Sequence, residues 1–189
     1  MRHKYETRGI VLSRSSVGEA SSFVILLTPE LGLVRALAQS VRSTGAKLAH
    51  ALTTFSESEV VLVRGKDGWR LSGAVLEENW FKKIGDADRR RRSARVSGLL
   101  LRLVAGETNE VGLYEIMKNF FEALSIQPAR PFGRPDAGDE GEGLEILTDI
   151  KILASLGLDA GEIPSLSEIS KDRSSYISRI NRGIEASGL

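Results

Sequence analysis

The chain has 189 residues, 41% hydrophobic and 27% charged, a mixture that supports one large core or two small ones. It contains no cysteine, which excludes disulfides and thiolate metal sites and fits a reducing cytoplasm, and no apolar run approaches the roughly 18 to 20 residues needed to cross a bilayer. The net charge of +1 excludes little by itself, because its distribution is uneven. Lys82, Lys83, Arg89, Arg90, Arg91, Arg92, Arg95 and Arg102 face only Asp86 and Asp88 along residues 82–102, whereas Asp136, Asp139, Glu140, Glu142 and Glu145 gather behind them.

Residues 5–17, YETRGIVLSRSSV, alternate as a first strand, with Gly9 expected to bend it. The start, MRHKYETRG, leads into this alternation rather than into a signal peptide. Gly18-Glu19 predicts a turn and residues 22–28 a second strand, which Pro29-Glu30-Leu31-Gly32 joins to a third by a hairpin. Residues 46–54 have the alanine and leucine of a short helix, residues 55–64 form a fourth strand, and residues 69–77, after the turn Arg64-Gly65-Lys66-Asp67-Gly68, a fifth. Five short strands with a helix between the third and fourth is the order of an OB-fold barrel.

From Asp86 the period becomes helical, with Val96, Leu99, Leu100 and Leu103 on one face and Arg91, Arg95 and Arg102 on another. A second helix follows the candidate cap Asn109 and carries Leu113, Ile116, Met117, Phe120, Phe121 and Leu124. Residues 126–143, rich in proline and glycine, read as an irregular linker. A third helix covers residues 144–156, with Gly157 as its left-handed cap, and a last one covers residues 173–186. The expected class is α+β: an OB-fold domain over residues 1–80, then a helical bundle over residues 81–189.

The stretch at residues 31–47, LGLVRALAQSVRSTGAK, runs a strand pattern into a cationic loop. Val34, Ala36, Ala38 and Ser40 fall on one face, suited to a tight interior, and Leu33, Arg35, Leu37 and Gln39 on the other. Arg14, Arg35, Arg42, Lys47, Arg64, Lys66 and Arg70 lie on strands or loops able to meet on one barrel side, where phosphate neutralisation would supply affinity. The simpler alternative for each is a solvated surface charge. Aromatic residues are only 6% of the chain, so stacking platforms are scarce, and Tyr5, Phe23, Phe55 and Trp69 are as readily core. Arg89 to Arg92 open a helix against its dipole, with Asp86 and Asp88 as candidate compensation; Arg91 and Arg92 would otherwise extend a DNA path.

Enzymatic patterns are weak. His3 and His50 are the only histidines, the two glycine-lysine turns lack the phosphate-cradling spacing, and neither Glu77-Glu78 nor Asp86 with Asp88 forms more than an exposed acidic pair. No catalysis, cofactor or metal is expected.

Gly9-Ile10-Val11-Leu12, Gly18-Glu19, the hairpin Leu26-Leu27-Thr28-Pro29-Glu30-Leu31-Gly32, Arg42, Lys47-Leu48, Phe55 and Trp69-Arg70-Leu71 together resemble the RecO family of bacterial recombination mediators, and EILTDIKILASLGLD is similar to a later helix of that family. Many relatives add a four-cysteine zinc module, so the resemblance implies a shortened, zinc-free C-terminal segment here. Ser21-Ser22 replace the acid and base usual at that place. The resemblance implies binding of single- and double-stranded DNA, annealing of complementary strands, and RecA loading with RecR. A cytoplasmic protein, monomeric alone and not bound to membrane, is expected. For the acidic tail of single-strand-binding protein, a groove lined by Leu99, Leu103, Tyr114 and Phe120, with Arg95 or Arg102 near the terminal carboxylate, is the expected place. Two other classes compete: an RNA-binding OB protein of the translation machinery and a protein-interaction adaptor.

Overall fold

The structure is a computed structural model that describes residues 3–39, 48–104, 106, 112–126 and 140–188. The chain separates into two units, Met1–Lys83 with Gly106–Tyr114, and Ile84–Ala105 with Glu115–Leu189. No helix among the described residues is long and apolar enough to cross a membrane.

The first unit holds β1 (Lys4–Val17), β2 (Ser21–Thr28), β3 (Gly32–Ala38), α1 (Leu48–Ala51), β4 (Ser56–Gly65), β5 (Gly68–Asn79) and α2 (Trp80–Lys83). The strands close as β1-β2-β3-β5-β4, antiparallel except for β3 with β5. Alternation explains the closure, since Val24, Leu26, Val34, Ala36, Ala38, Val60, Leu62, Trp69 and Leu71 all point into one core. Ala36 and Ala38 stand opposite Trp69 and Leu71, so small residues leave room for large ones. Ser40 lies outside the described residues.

The bend expected at Gly9 falls elsewhere. The register of β1 against β2 slips between Val11 and Ser13, while Gly9 stays paired with Ser58 of β4. A Cβ on Gly9 would stand 3.3 Å from Leu26 Cδ2, so this glycine serves close packing. The β2–β3 hairpin forms as read: the Leu31 amide donates to Thr28 Oγ1 at 3.1 Å, that hydroxyl donates to the Gly32 carbonyl at 3.0 Å, and Gly32 takes φ 65°. Glu57, only 3% exposed, accepts from Trp80 Nε1 at 3.3 Å and from the Tyr114 hydroxyl at 2.7 Å.

The helices are α3 (Ala87–Leu103), α4 (Leu113–Ile126), α5 (Glu140–Ser155), α6 (Leu166–Lys171) and α7 (Arg173–Ala186). Asp86 caps α3 by accepting from the Arg89 amide at 2.9 Å. Helices occupy both ends of the linker expected over residues 126–143: Ile126 closes α4, and Glu140 to Gly143 belong to α5. Asn109 and residues 127–139 lie outside the described residues. Gly157 ends α5 at φ 70°, with its amide on the Ala154 carbonyl and the Leu158 amide on the Leu153 carbonyl at 2.8 Å, the paired bonds of a Schellman ending. Sequence reading missed α6, although Ser165 and Glu168 form a reciprocal capping box at its start. Ile146, Ile150, Leu153, Ile169 and Ile180 pack as one core across α5, α6 and α7.

Candidate nucleic-acid interface

Barrel register decides which cations share a surface. Arg35 pairs across to Ile25, Leu37 pairs to both Phe23 and Arg70, and Arg70 pairs on to Val63. These residues occupy the outer side, because their neighbours Val34, Ala36 and Leu71 are in the core. Arg35, Gln39 and Arg70 are exposed, and Phe23, Ile25 and Leu37 are half-buried between them. The Arg35 guanidinium lies 4.0 Å from the centroid of Phe23, a diagonal cross-strand contact that holds the cation flat on the sheet. Among the described residues no carboxylate pairs with Arg35 or Arg70. Phe23 is thus a half-open aromatic on the cationic face, a placement that alternation against Val24 could have revealed.

The other barrel cations divide. Lys66 is exposed in the β4–β5 turn. Arg64 follows the inward row of Leu62 past the end of the core, with its Cζ 4.8 Å over Trp69, which itself meets Tyr5 edge-on at 5.1 Å. Arg14 departs from the expected face. It pairs with core Val24, is half-buried, and donates through Nε to Ser22 Oγ at 3.3 Å. Arg42 and Lys47 lie outside the described residues. Away from this face, Arg8 pairs with Glu77 at 3.2 Å, so positive charge there is compensated.

Two arginines of the α3 run, Arg89 and Arg92, are spent internally. Arg89 pairs with Asp86 at 2.9 Å and donates to the Leu124 carbonyl at 3.3 Å, in the last turn of α4. Arg92, expected on a DNA path, is buried instead: Nε meets Asp88 at 3.1 Å and Nη1 meets Glu145 at 3.0 Å. Arg95 grips both oxygens of the same Glu145, at 2.6 and 2.7 Å. Arg91 is open, with 69% of its side chain exposed, and approaches Asp88 at 3.6 Å. Burial works to raise the Asp88 carboxyl, but Arg92 and Arg91 beside it hold it below its ordinary value.

The expected peptide groove does not assemble from its six residues. Arg95 and Leu99 line a cleft between α3, α5 and α7, while Arg102 is exposed and Leu103 packs on the α5–α7 core. Phe120 is 2% exposed, and Tyr114 belongs with the barrel unit, where Glu57 holds its hydroxyl. Buried polar groups and a full apolar core, rather than a ligand, claimed the aromatic members. Among the described residues, no three His, Asp or Glu side chains gather to hold a metal.

The sequence model of the family described as Recombination protein O N terminal matches residues 1–79. A protein of Dehalococcoides mccartyi named DNA repair protein RecO is 47% identical over 64 residues, 34% of this chain and 25% of the relative. Proteins of the same name from Gloeothece citriformis and Nostoc punctiforme are 27% and 25% identical over 69% and 66% of this chain, and the matches span 46% and 41% of their own lengths. The chain therefore spans less than half the length of these relatives. Barrel, family match and relatives agree: this chain resembles RecO, most closely over the unit that carries the exposed cationic face.

Proposed function

We propose that this chain acts in DNA repair and recombination as a non-catalytic DNA-binding protein, its barrel an OB-fold whose outer β2–β3–β5 surface holds the nucleic acid. The observation that carries this is the pair Arg35 and Arg70 on adjacent strands, exposed, with Phe23 beside them and no carboxylate partner among the described residues. Such a surface neutralises phosphates and offers one aromatic edge to a base, which suits binding of low sequence preference to single and double strands. Annealing follows from the same physics, because a cationic face that holds two strands lowers their repulsion while weak base contacts allow register to be found.

The names of the relatives support the repair role. By resemblance to RecO, the reading extends to a cytoplasmic protein, monomeric alone, that joins RecR, meets the tail of single-strand-binding protein and assists RecA loading on coated gaps. Fluorescence anisotropy of a labelled oligonucleotide of about thirty bases tests the binding face. Log affinity is expected to fall linearly with log salt, by about 0.7 per phosphate neutralised on single strands, and Arg35→Glu with Arg70→Glu should weaken binding at least about tenfold and flatten the slope. An unchanged slope removes both residues from the interface. A matched RNA that competes better than DNA favours the translation-related alternative.

A further inference from the structure

Within the helical unit, α3, α5 and α7 enclose a cleft of about 390 Å³ whose chemistry the DNA-binding role does not use. One wall is aliphatic, formed by Ile146 of α5 with Ile177, Ile180 and Ile184 of α7. Another part is acidic, with Glu142, Glu145 and Asp149 at successive turns of α5. Arg92 and Arg95 of α3 line it too, but both are bound by Glu145, and Arg173 neutralises Glu142 at 2.7 Å. Asp149 is left over. Its Oδ1 is withdrawn from solvent and makes no hydrogen bond among the described residues, and the half-buried side chain lines the cleft.

A buried carboxyl with an unused oxygen is costly unless something enters to meet it. The entrant must carry a hydrogen-bond donor to reach Asp149 and an apolar stem to lie along the isoleucines. A lysine side chain has both, four methylenes ending in three N–H donors. We propose that this cleft is a docking site for a lysine side chain presented by a partner peptide, with its ammonium on Asp149 and its stem against Ile177 and Ile180. The proposal stands independently of the DNA surface.

Docking is coupled to a proton. Burial first, then the nearby negative charge of Glu145, pushes the Asp149 carboxyl up to about 8, with Arg95 acting against them. The charged groups lining the cleft with it are Glu145 and Glu142 from α5 and Arg92 and Arg95 from α3; α7 adds the neutral Asn181 to the lining and Arg173 on Glu142, and α6 contributes nothing to the lining. An arriving ammonium favours the ionised carboxylate, so the proton leaves to solvent, and lysine binding should strengthen by about tenfold in all as pH rises through about 8.

The test is nuclear magnetic resonance titration of the full chain with acetyl-Ile-Lys-Ile-amide and with the norleucine peptide that lacks only the ammonium. Saturable shifts of the Asp149 and Asn181 amides with the lysine peptide are expected. Binding should be about ten times weaker for norleucine, and equally weakened by Asp149→Asn. Equal binding of the two peptides, no shifts at millimolar peptide, or an affinity indifferent to pH each overturns the proposal. Circular dichroism checks the folding of Asp149→Asn; should it fail to fold, the peptide pair and the pH profile of the unaltered chain decide the matter.

Discussion

The barrel and the helical unit use the same side chain in opposite ways. On the barrel, Arg35 and Arg70 stand apart along the chain, yet register brings them onto one open face. In α3, four consecutive arginines look like the strongest cationic patch of the molecule, but Arg89 and Arg92 are buried on carboxylates, and Arg95 is clamped by Glu145. Density of positive charge in the sequence therefore misidentifies the basic surface. What decides is whether a carboxylate lies within reach: Asp86 and Asp88 sit one turn from their partners, and Glu145 arrives from a helix fifty residues away.

The contrast can be broken most forcefully at Glu145. Glu145→Gln leaves buried Arg92 with Asp88 as its one carboxylate and takes the charged partner from Arg95, and should lower stability by about 3 kcal/mol in denaturant unfolding. If stability held and DNA affinity rose instead, the α3 arginines would be available after all. Next comes Asp149→Asn. The native carboxyl, raised to about 8, keeps a proton that the unfolded chain releases near its ordinary 3.8, so this residue costs stability increasingly as pH climbs between those values. Removing the charge should raise stability by roughly 3 kcal/mol at neutral pH and by almost nothing near pH 4, read from paired melts across that range. Tyr114→Phe sharpens the account of the barrel unit: Glu57 loses one of its donors and stability should fall by about 1 kcal/mol. The smallest effect is expected for Arg91→Ala, within about 0.5 kcal/mol in stability, because its ion pair is solvent-exposed.

Local patterns carried most of the fold. Period-two runs located all the strands of the barrel, and Gly157 marked the end of α5 because a Schellman ending needs positive φ. The β3–β5 pairing had no local signature, since parallel register between distant strands is written only in the closed ring. Among the proposed binding residues, the exposed placement of Arg35, Gln39 and Arg70 was legible from alternation. Arg14 was not, because the slip after Val11 advances β1 by one residue and turns the side chain to the Val24 side. Tyr114 looked like one edge of a helical stripe, but a buried acid in a different part of the chain fixed its place. Asp149, between Thr148 and Ile150 and one turn beyond Glu145, was the available hint of the α5 cleft.

Closure of the ring relies on a short seam, the three pairs Ala36 with Trp69, Leu37 with Arg70 and Ala38 with Leu71. Every other strand junction is longer and antiparallel. Arg35 and Arg70 stand on its two sides, so a polyanion gripping both would clasp the joint shut. Nucleic acid would then act as a fastener for the barrel as well as its cargo, raising the temperature at which the first unit melts.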